Sequence, residues 1–282
     1  MQERDKVARL VERLQEGIAA LVTGEDWQRF MEIASRFHRY SVWNTIAILV
    51  QQPEATQVAG YTTWKRVGRQ VRRGEKGIKI LAPCTYPVHR EDDEGEGDTP
   101  ARVVRGFKVV HVFDVHQTEG APLADVPAVL LDGDAPAALL DGLAAQIEAA
   151  GFSYRRGPMP SQHARANGLT VYGTRSVVVR DDLSHAQAAK TTAHELAHVL
   201  MHGPDAPEHT RERCEVEAES VAFIVCAACG LDSGGYTFPY VGRWSMGDLD
   251  LVRSTAERVM ATARQVIESL PVADDSASIP AA

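Results

Sequence analysis

The chain has 282 residues, enough for two domains of ordinary size, and its 44% hydrophobic and 24% charged residues are typical of a globular protein. The N-terminus is charged and the apolar stretches reach only about ten residues, too few for a membrane span. The sequence therefore predicts a cytoplasmic protein without a signal peptide or a membrane partner. A formal net charge of −8 argues against nucleic-acid binding as a whole-chain average, but the charge is unevenly distributed.

The N-terminal part of the sequence predicts an α+β unit. Its expected elements are three helices within 1–53, with breaks near Gly24 and Tyr40-Ser41 and a stop at Pro53, and strands near 79–81 and 102–115. An acidic, glycine-containing insertion at 91–98 lies between these strands. Since helices precede strands here, we expect a domain of the α+β class.

Basic residues are concentrated between Gly60 and Ile80, where seven cations accompany the single acid Glu75. Aromatic residues and glycines separate them, so the segment could follow a phosphate backbone while rings stack on bases. The candidate DNA-binding residues are Tyr61, Lys65, Arg69, Arg72, Arg73, Lys76 and Lys79. The alternative is a solvated basic loop whose aromatic residues belong to the core. Trp64 shares one side of a short amphipathic pattern with Val67, which favours a core position for this tryptophan.

The second half of the chain predicts another α+β unit. A linker is expected at 119–135, because this segment is rich in Pro, Gly, Ala and Asp and has no hydrophobic period. The elements expected after it are a helix near 137–150, strands within 152–180, two helices within 184–230 and a C-terminal helix near 246–270. The Ala-, Ser- and Asp-rich residues 271–282 are expected to form a disordered tail.

The stretch HELAH, which begins at His194 and ends at His198, has the H-E-x-x-H spacing of zinc hydrolases. It lies in a predicted helix that begins after Ser184 and follows a candidate strand at 168–180. Residues at i and i+4 project from the same face of a helix, so both imidazoles can bind one ion. Glu195 then lies where it can accept a proton from water. A solvent-facing His-Glu pair on an ordinary amphipathic helix is the alternative interpretation.

A catalytic zinc needs a third protein ligand and leaves its fourth position for water. His202 continues the i+4 series, but it lies about 12 Å from His194 along an unbroken helix, too far for one ion to bind all three histidines. The sequence therefore predicts that His202 is a helix-end residue. Pro204 stands where the metzincin pattern requires a histidine, so that class is excluded.

Acidic residues of the next predicted helix, within 208–230, are the candidates for the third ligand. Glu215 and Glu219 lie on one face, one turn apart, which suits a carboxylate ligand and a second acid that orients a ligating histidine. Glu217 on the opposite side and Glu212 one turn earlier are lesser candidates. A salt-bridged acidic helix face is the alternative for all of these glutamates.

Motifs in both halves resemble known families. YSVWN at 40–44, GYTTWKRVGRQVRRGEKGIKIL at 60–81 and VFDVHQTEG at 112–120 resemble the N-terminal domain of the ArdC antirestriction proteins, a family associated with single-stranded DNA and mobile elements. HELAHVLMH and CEVEAESVAF are similar to the zincin-type peptidase domain that accompanies it, and to the ImmA/IrrE metallopeptidases. The resemblance extends over most of the chain.

The resemblance implies roles for particular residues. His194 and His198 would be metal ligands, Glu195 the general base and Glu215 the third ligand. Glu219 would orient a ligand, at a position where ImmA/IrrE proteins more often have Asn. The implied cofactor is one Zn²⁺ per chain, with Mn²⁺ as a possible substitute.

Together these expectations describe an α+β protein of two domains, an ArdC-like single-stranded-DNA-binding domain at 1–118 and a zincin-like metallopeptidase domain at 136–270. It would be an antirestriction-type zinc metallopeptidase that binds single-stranded DNA and hydrolyses an unknown protein or peptide. The alternatives are a non-enzymatic antirestriction protein with structural zinc and a regulatory peptidase that cleaves a repressor. Candidates for stabilising the oxyanion are Tyr236, Tyr240 and His209.

Overall fold

The computed structural model describes residues 2–87, 102–120, 135–204, 210–231, 238 and 244–271. The acidic insertion at 91–98, linker residues 121–134, tail residues 272–282 and the oxyanion candidates Tyr236, Tyr240 and His209 lie outside the described residues. No helix in these described ranges has the length and apolar character needed to cross a membrane.

Helices and strands are mixed along the chain, which confirms the α+β class. The helices are α1 (Gln2–Ala19), α2 (Gly24–Arg36), α3 (Val42–Gln51), α4 (Tyr61–Arg66), α5 (Ala135–Ala149), α6 (His185–Met201), α7 (Arg211–Ala228) and α8 (Leu249–Glu268). The strands are β1 (Val58–Gly60), β2 (Arg69–Val71), β3 (Ile78–Pro87), β4 (Arg102–Asp114), β5 (Thr118–Gly120), β6 (Ser153–Arg156), β7 (Gly168–Val171) and β8 (Ser176–Val179). The expected helix breaks near Gly24, Tyr40 and Pro53 are confirmed.

Two compact units make up the described chain. The first comprises the described residues of 1–17 and 43–122, and the second those of 18–42 and 123–278. The domain boundaries expected at 118 and 136 stay predictions. The grouping differs from them because it places residues 18–42 with the second unit. The reason is Trp27 of α2, which is fully buried and donates from Nε1 to Ser220 Oγ of α7 at 2.9 Å. Its ring also packs edge-on against Trp244, with 5.3 Å between the centroids.

The first unit contains an antiparallel sheet in the order β1-β4-β3 and a separate antiparallel pair, β2 with β5. The outer edge of β3 is covered by amide side chains of α3. Asn44 donates to the carbonyl of Leu81 and accepts from its N–H, and Gln51 makes the same two bonds with Lys79. These amides replace a neighbouring strand, so the edge has no unsatisfied backbone groups at these two residues.

Trp64 joins α4 to the sheet of the first unit. The side chain is fully buried, and its Nε1 donates to the carbonyl of Phe113 in β4 at 2.8 Å. The expected core position is confirmed, so stacking of this ring on DNA bases is excluded in the folded chain.

The second unit has a sheet in the order β6-β8-β7, with β6 parallel and β7 antiparallel to β8. The single candidate strand at 168–180 is therefore wrong in detail, because a turn divides it into a hairpin. The turn comprises residues 172–175, and Arg175 at its end has a φ of 46°, a left-handed conformation, directly before β8 begins. Helix α6 packs against α5, α7 and the hairpin, and α7 packs against α8 and α2.

Candidate functional sites

The two helices that carry the candidate ligands begin at capping residues. Ser184 accepts a hydrogen bond from the N–H of Gln187 at the start of α6, and Thr210 accepts one from Arg213 at the start of α7. These side chains satisfy N–H groups that have no partner within the helix. The HELAH stretch therefore lies on a regular helix, as the motif requires.

His194, His198 and Glu215 converge on one point. His194 Nε2 lies 3.1 Å from His198 Nε2, and Glu215 Oε2 lies 3.4 Å from the first nitrogen and 3.8 Å from the second. Among the described residues, these are the three whose ligand atoms could together hold a metal ion. Two ligands about 2.0–2.1 Å from a tetrahedral zinc are about 3.4 Å apart. The three separations bracket this value, so the donor set fits a metal of that size.

The charges in this cluster favour a cation. Burial lowers the pKa of His194, but hydrogen bonds to Glu215 and Glu219 outweigh burial and raise the pKa to about 9. Hydrogen bonds from His194 and His198 hold the pKa of Glu215 well below its usual range. The carboxylate is therefore ionised at neutral pH, and a metal ion would replace the proton of His194.

Glu219 lies behind His194, as the sequence predicts for an orienting residue. Its Oε2 is 3.1 Å from His194 Nδ1, the nitrogen that faces away from Glu215. Its other carboxylate oxygen is 3.8 Å from Nζ of Lys190. A carboxylate at Nδ1 holds the proton there and leaves Nε2 free to bind a metal.

Glu195 is buried, and its side chain is held by the hairpin. The hydroxyl of Thr170 in β7 donates to Glu195 Oε2 at 2.6 Å. Gly168 makes this approach possible, because a Cβ at that position would lie 2.8 Å from Glu195 Cγ. The tip of the hairpin is fixed too, since the hydroxyl of Tyr172 donates to the carbonyl of His198 at 2.9 Å.

Sequence reasoning missed the residues that support His198. His202 caps the end of α6 as expected, but its Nδ1 is 2.9 Å from His198 Nδ1 and its Nε2 is 2.9 Å from Glu217 Oε2. Glu217 is fully buried and also accepts from Arg213 and Arg258. The opposite side of α7, where the sequence places Glu217, is therefore a buried polar contact with α6 and α8. The sequence signal that could have indicated this support is His202, the last histidine of HELAHVLMH.

A groove in the second unit is separate from this cluster. It has a volume of about 850 Å³ and is lined by residues of α5, of α8 and by Leu200 of α6. None of the candidate metal ligands is among its lining residues. The groove therefore does not contribute to the metal chemistry.

The residues of the basic segment differ in what they contact. Tyr61, Lys65, Arg73, Lys76 and Lys79 are exposed, as a DNA-binding surface requires. Arg69 instead donates to the hydroxyl and carbonyl of Thr118, and Arg72 pairs with Glu75 at 2.9 Å and donates to the carbonyl of His116. Two of the seven candidates thus also hold the segment together.

The turn between β2 and β3 is fixed by the QTEG stretch. Gln117 donates to Glu75 and to the carbonyl of Lys76, and it accepts from the N–H of Asp114. Gly120 lies so close to β2 that a Cβ would be 2.9 Å from Arg69 Cα. The basic segment and the QTEG stretch therefore depend on each other in the fold.

Comparisons with known proteins show distant similarity over most of the chain. The uncharacterized protein pXO2-81 of Bacillus anthracis is 23% identical, over 87% of this chain and 48% of its own length, so the chain spans about half of that relative. The metal-free structure of the antirestriction protein ArdC from the R388 plasmid is 19% identical, with a TM-score of 0.47, and the match covers 82% of this chain and 83% of that one. The Mn(II)-bound structure is 20% identical, with a TM-score of 0.48 and coverage of 87% and 99%.

Family models match both halves of the chain. Residues 2–113 match the N-terminal domain of the anti-restriction factor ArdC. Residues 147–229, which include the HELAH stretch and Glu215, match the IrrE N-terminal-like domain. The chain is therefore an ArdC-like protein, with an ArdC-type N-terminal domain followed by an IrrE-like domain.

Proposed function

We propose that this chain is a zinc-dependent peptidase of the antirestriction type that also binds single-stranded DNA. The convergence of His194, His198 and Glu215, beside a Glu195 held in place by Thr170, carries the peptidase half of the proposal. Two imidazoles, one carboxylate and a separate acid are the groups that zinc peptidases use. Mn²⁺ is the alternative ion, because a carboxylate ligand suits it as well.

The chain's own groups have distinct tasks in this reaction. A bound zinc ion would polarise the peptide carbonyl and lower the pKa of water. Glu195 accepts the proton of the attacking water and passes it to the leaving amine. Thr170 holds one carboxylate oxygen of Glu195, which leaves the other to take the proton. Glu219 keeps the Nδ1 proton of His194 in place throughout.

The hairpin offers a way to bind the substrate. In the described sheet β7 is an edge strand, and Thr170 of this strand contacts Glu195. An extended peptide that pairs with β7 would bring its backbone close to the proposed base. We therefore expect unfolded or extended segments to be cleaved better than compact folded proteins.

The test combines metal analysis with a quenched-fluorescent peptide library. The wild-type chain should bind about one zinc and cleave peptides, and His194→Ala together with His198→Ala should abolish both. Glu195→Gln should keep the zinc and the fold but lose cleavage, because an amide cannot accept the proton. Full zinc occupancy in the double histidine variant would refute the metal centre. Zinc binding without cleavage of any peptide would refute the peptidase and favour a non-enzymatic role.

The DNA half of the proposal rests on the ArdC-type N-terminal domain and on the exposed cations of the basic segment. Binding of the full chain to single-stranded oligonucleotides should weaken steeply with salt. Arg73→Ala should lower the affinity and reduce the salt slope by about 0.7, the value for one phosphate contact on a single strand. Arg13→Ala on the exposed side of α1 is the control and should change neither. Equal affinity for single- and double-stranded DNA at two salt concentrations would refute the preference for single strands.

A further inference from the structure

The two candidate histidine ligands are supported in different ways. Nδ1 of His194 lies directly against a carboxylate, that of Glu219. Nδ1 of His198 lies against a second imidazole, that of His202, and a carboxylate is reached only one residue further on, at Glu217. A carboxylate thus supports both candidate ligands, but it contacts His194 directly and reaches His198 only through an additional histidine.

We propose that His202 is a positioning residue that transmits the orienting effect of Glu217 to His198. This inference rests on the proposed metal centre. When Nε2 of His198 provides its lone pair to a metal, the proton of that ring is on Nδ1 and is donated to Nδ1 of His202. The proton of His202 is then on Nε2, where Glu217 accepts it at 2.9 Å. Each ring nitrogen of His198 and His202 therefore binds the metal, donates a proton or accepts one, and these assignments are consistent with one another.

The surroundings keep this arrangement in place. The side chain of His202 is 5% exposed and that of Glu217 is 0% exposed, so water does not compete for their hydrogen bonds. Arg213 at 3.0 Å and Arg258 at 3.2 Å balance the charge of the Glu217 carboxylate. The Glu217 carboxylate is therefore held in place by an ion-pair cluster between α6, α7 and α8.

The contacts also show why His202 is not itself a metal ligand. One ring nitrogen faces His198 and the other faces Glu217, so both are engaged by protein groups. Glu217 is engaged as well, by His202 and two arginines. Their role for a metal ion is to fix the orientation of the His198 ring, and this ring contacts the ion.

The test measures zinc affinity of the full chain by competition with a chromophoric chelator. His202→Leu removes both hydrogen bonds and should weaken zinc binding about 10–100-fold, the usual cost of losing a group that orients a ligand. His202→Gln offers an amide oxygen to His198 and an amide N–H to Glu217, so it should recover most of the affinity. His185→Leu at the exposed start of α6 is the matched control and should bind zinc as the wild type does. Melting of each metal-free variant shows whether it folds.

A spectroscopic measurement decides the matter if His202→Leu does not fold. Long-range ¹H–¹⁵N spectra of the zinc-loaded wild type should show His198 protonated on Nδ1 and His202 protonated on Nε2. The opposite tautomer of either ring would refute the inference, as would wild-type zinc affinity in a folded His202→Leu chain. Zinc affinity does not depend on peptide cleavage, so failure of the peptidase proposal is a separate result. A wild-type chain that binds no zinc would refute the metal centre itself.

Discussion

Gly168 is the residue at which the proposed base is most easily disturbed. In Gly168→Ala the new methyl group would lie 2.8 Å from Glu195 Cγ and 2.7 Å from Thr191 Cγ2, so the carboxylate must leave its bond with Thr170. A displacement of about 1 Å can cost about 100-fold in rate, so we expect a loss of that size with zinc content unchanged. Gly173→Ala in the same hairpin is the control, because no atom lies within 4 Å of its new methyl group. Equal peptide cleavage by the two variants would contradict the assignment of Glu195.

Glu215 and Glu217 are two residues apart, but their substitution should have different consequences. Glu215→Ala removes a half-exposed candidate ligand, so zinc affinity should fall at least about 10–100-fold, while the metal-free melting temperature should fall less than in Glu217→Ala because solvent screens the half-exposed Glu215. Glu217→Ala leaves Arg213, Arg258 and His202 without this buried carboxylate, at a cost of about 3–5 kcal/mol. At about 2–4 °C per kcal/mol, its melting temperature should fall by roughly 6–20 °C.

Calorimetry of the metal-free chains and zinc titrations separate these outcomes. A stable Glu217→Ala chain combined with a destabilised Glu215→Ala chain would mean that the phase of α7 is reversed. Glu217→Ala should also weaken zinc binding, because the carboxylate supports His198 through His202.

At the scale of elements, the segment that follows α2 should make the stability sensitive to pH, because His38 there is close enough to sense the charges of Arg264 and Glu268 in α8. Burial lowers the pKa of His38 below its ordinary value of 6.5, and the charges of Arg39 and Arg264 lower it further. A hydrogen bond to the carbonyl of Ser35 and the charge of Glu268 raise the pKa, but they do not outweigh these effects. The unfolded chain therefore binds this proton more tightly than the folded chain does. The stabilisation by neutral His38 is complete above pH 6.5 and is lost as the pH falls through the folded value.

His38→Gln should remove this part of the pH dependence. Urea unfolding at pH 7.5 and at pH 5 should show a larger loss of stability in the wild type than in the variant. The difference between the two chains isolates His38, because the other histidines are common to both. His185→Gln at the exposed start of α6 should keep the wild-type loss. Identical losses in wild type and His38→Gln would contradict the neutral state of this half-buried ring.

Local signals explain which elements the sequence could predict. Gly24, Ser41 and Pro53 separate the first helices, and a 3.6-residue period on α7 places Glu215 and Glu219 together. The contact between His202 and Glu217 could not be predicted in this way, because it depends on how α6 and α7 cross. The turn that divides β7 from β8 was also missed, although Gly173 marks it. Spacing along one helix is fixed by the backbone, whereas contacts between helices are fixed by packing.

At the scale of the whole molecule, the boundary between the units makes a prediction about fragments. Trp27, Phe30 and Met31 of α2 are fully buried, and the partners of Trp27 include Ser220 and Trp244. A fragment that ends at residue 118 retains α2 but lacks these partners. We expect the fragment to bind a hydrophobic dye and to be cleaved by proteases within 24–36, whereas the full chain is protected there.

Trp27→Ala provides the sharper measurement, because its effect should depend on α7. In the full chain the substitution should cost roughly 3–5 kcal/mol, the usual range for a large buried side chain replaced by alanine. In the 1–118 fragment it should have little effect, since the cavity that it would leave is already open. An equal loss in both chains would mean that α2 packs within the N-terminal part, and the sequence-based boundary at 118 would then be right. If the loss is confined to the full chain, DNA binding has to be measured on the full chain, because a fragment with an exposed α2 face would bind oligonucleotides and other surfaces non-specifically.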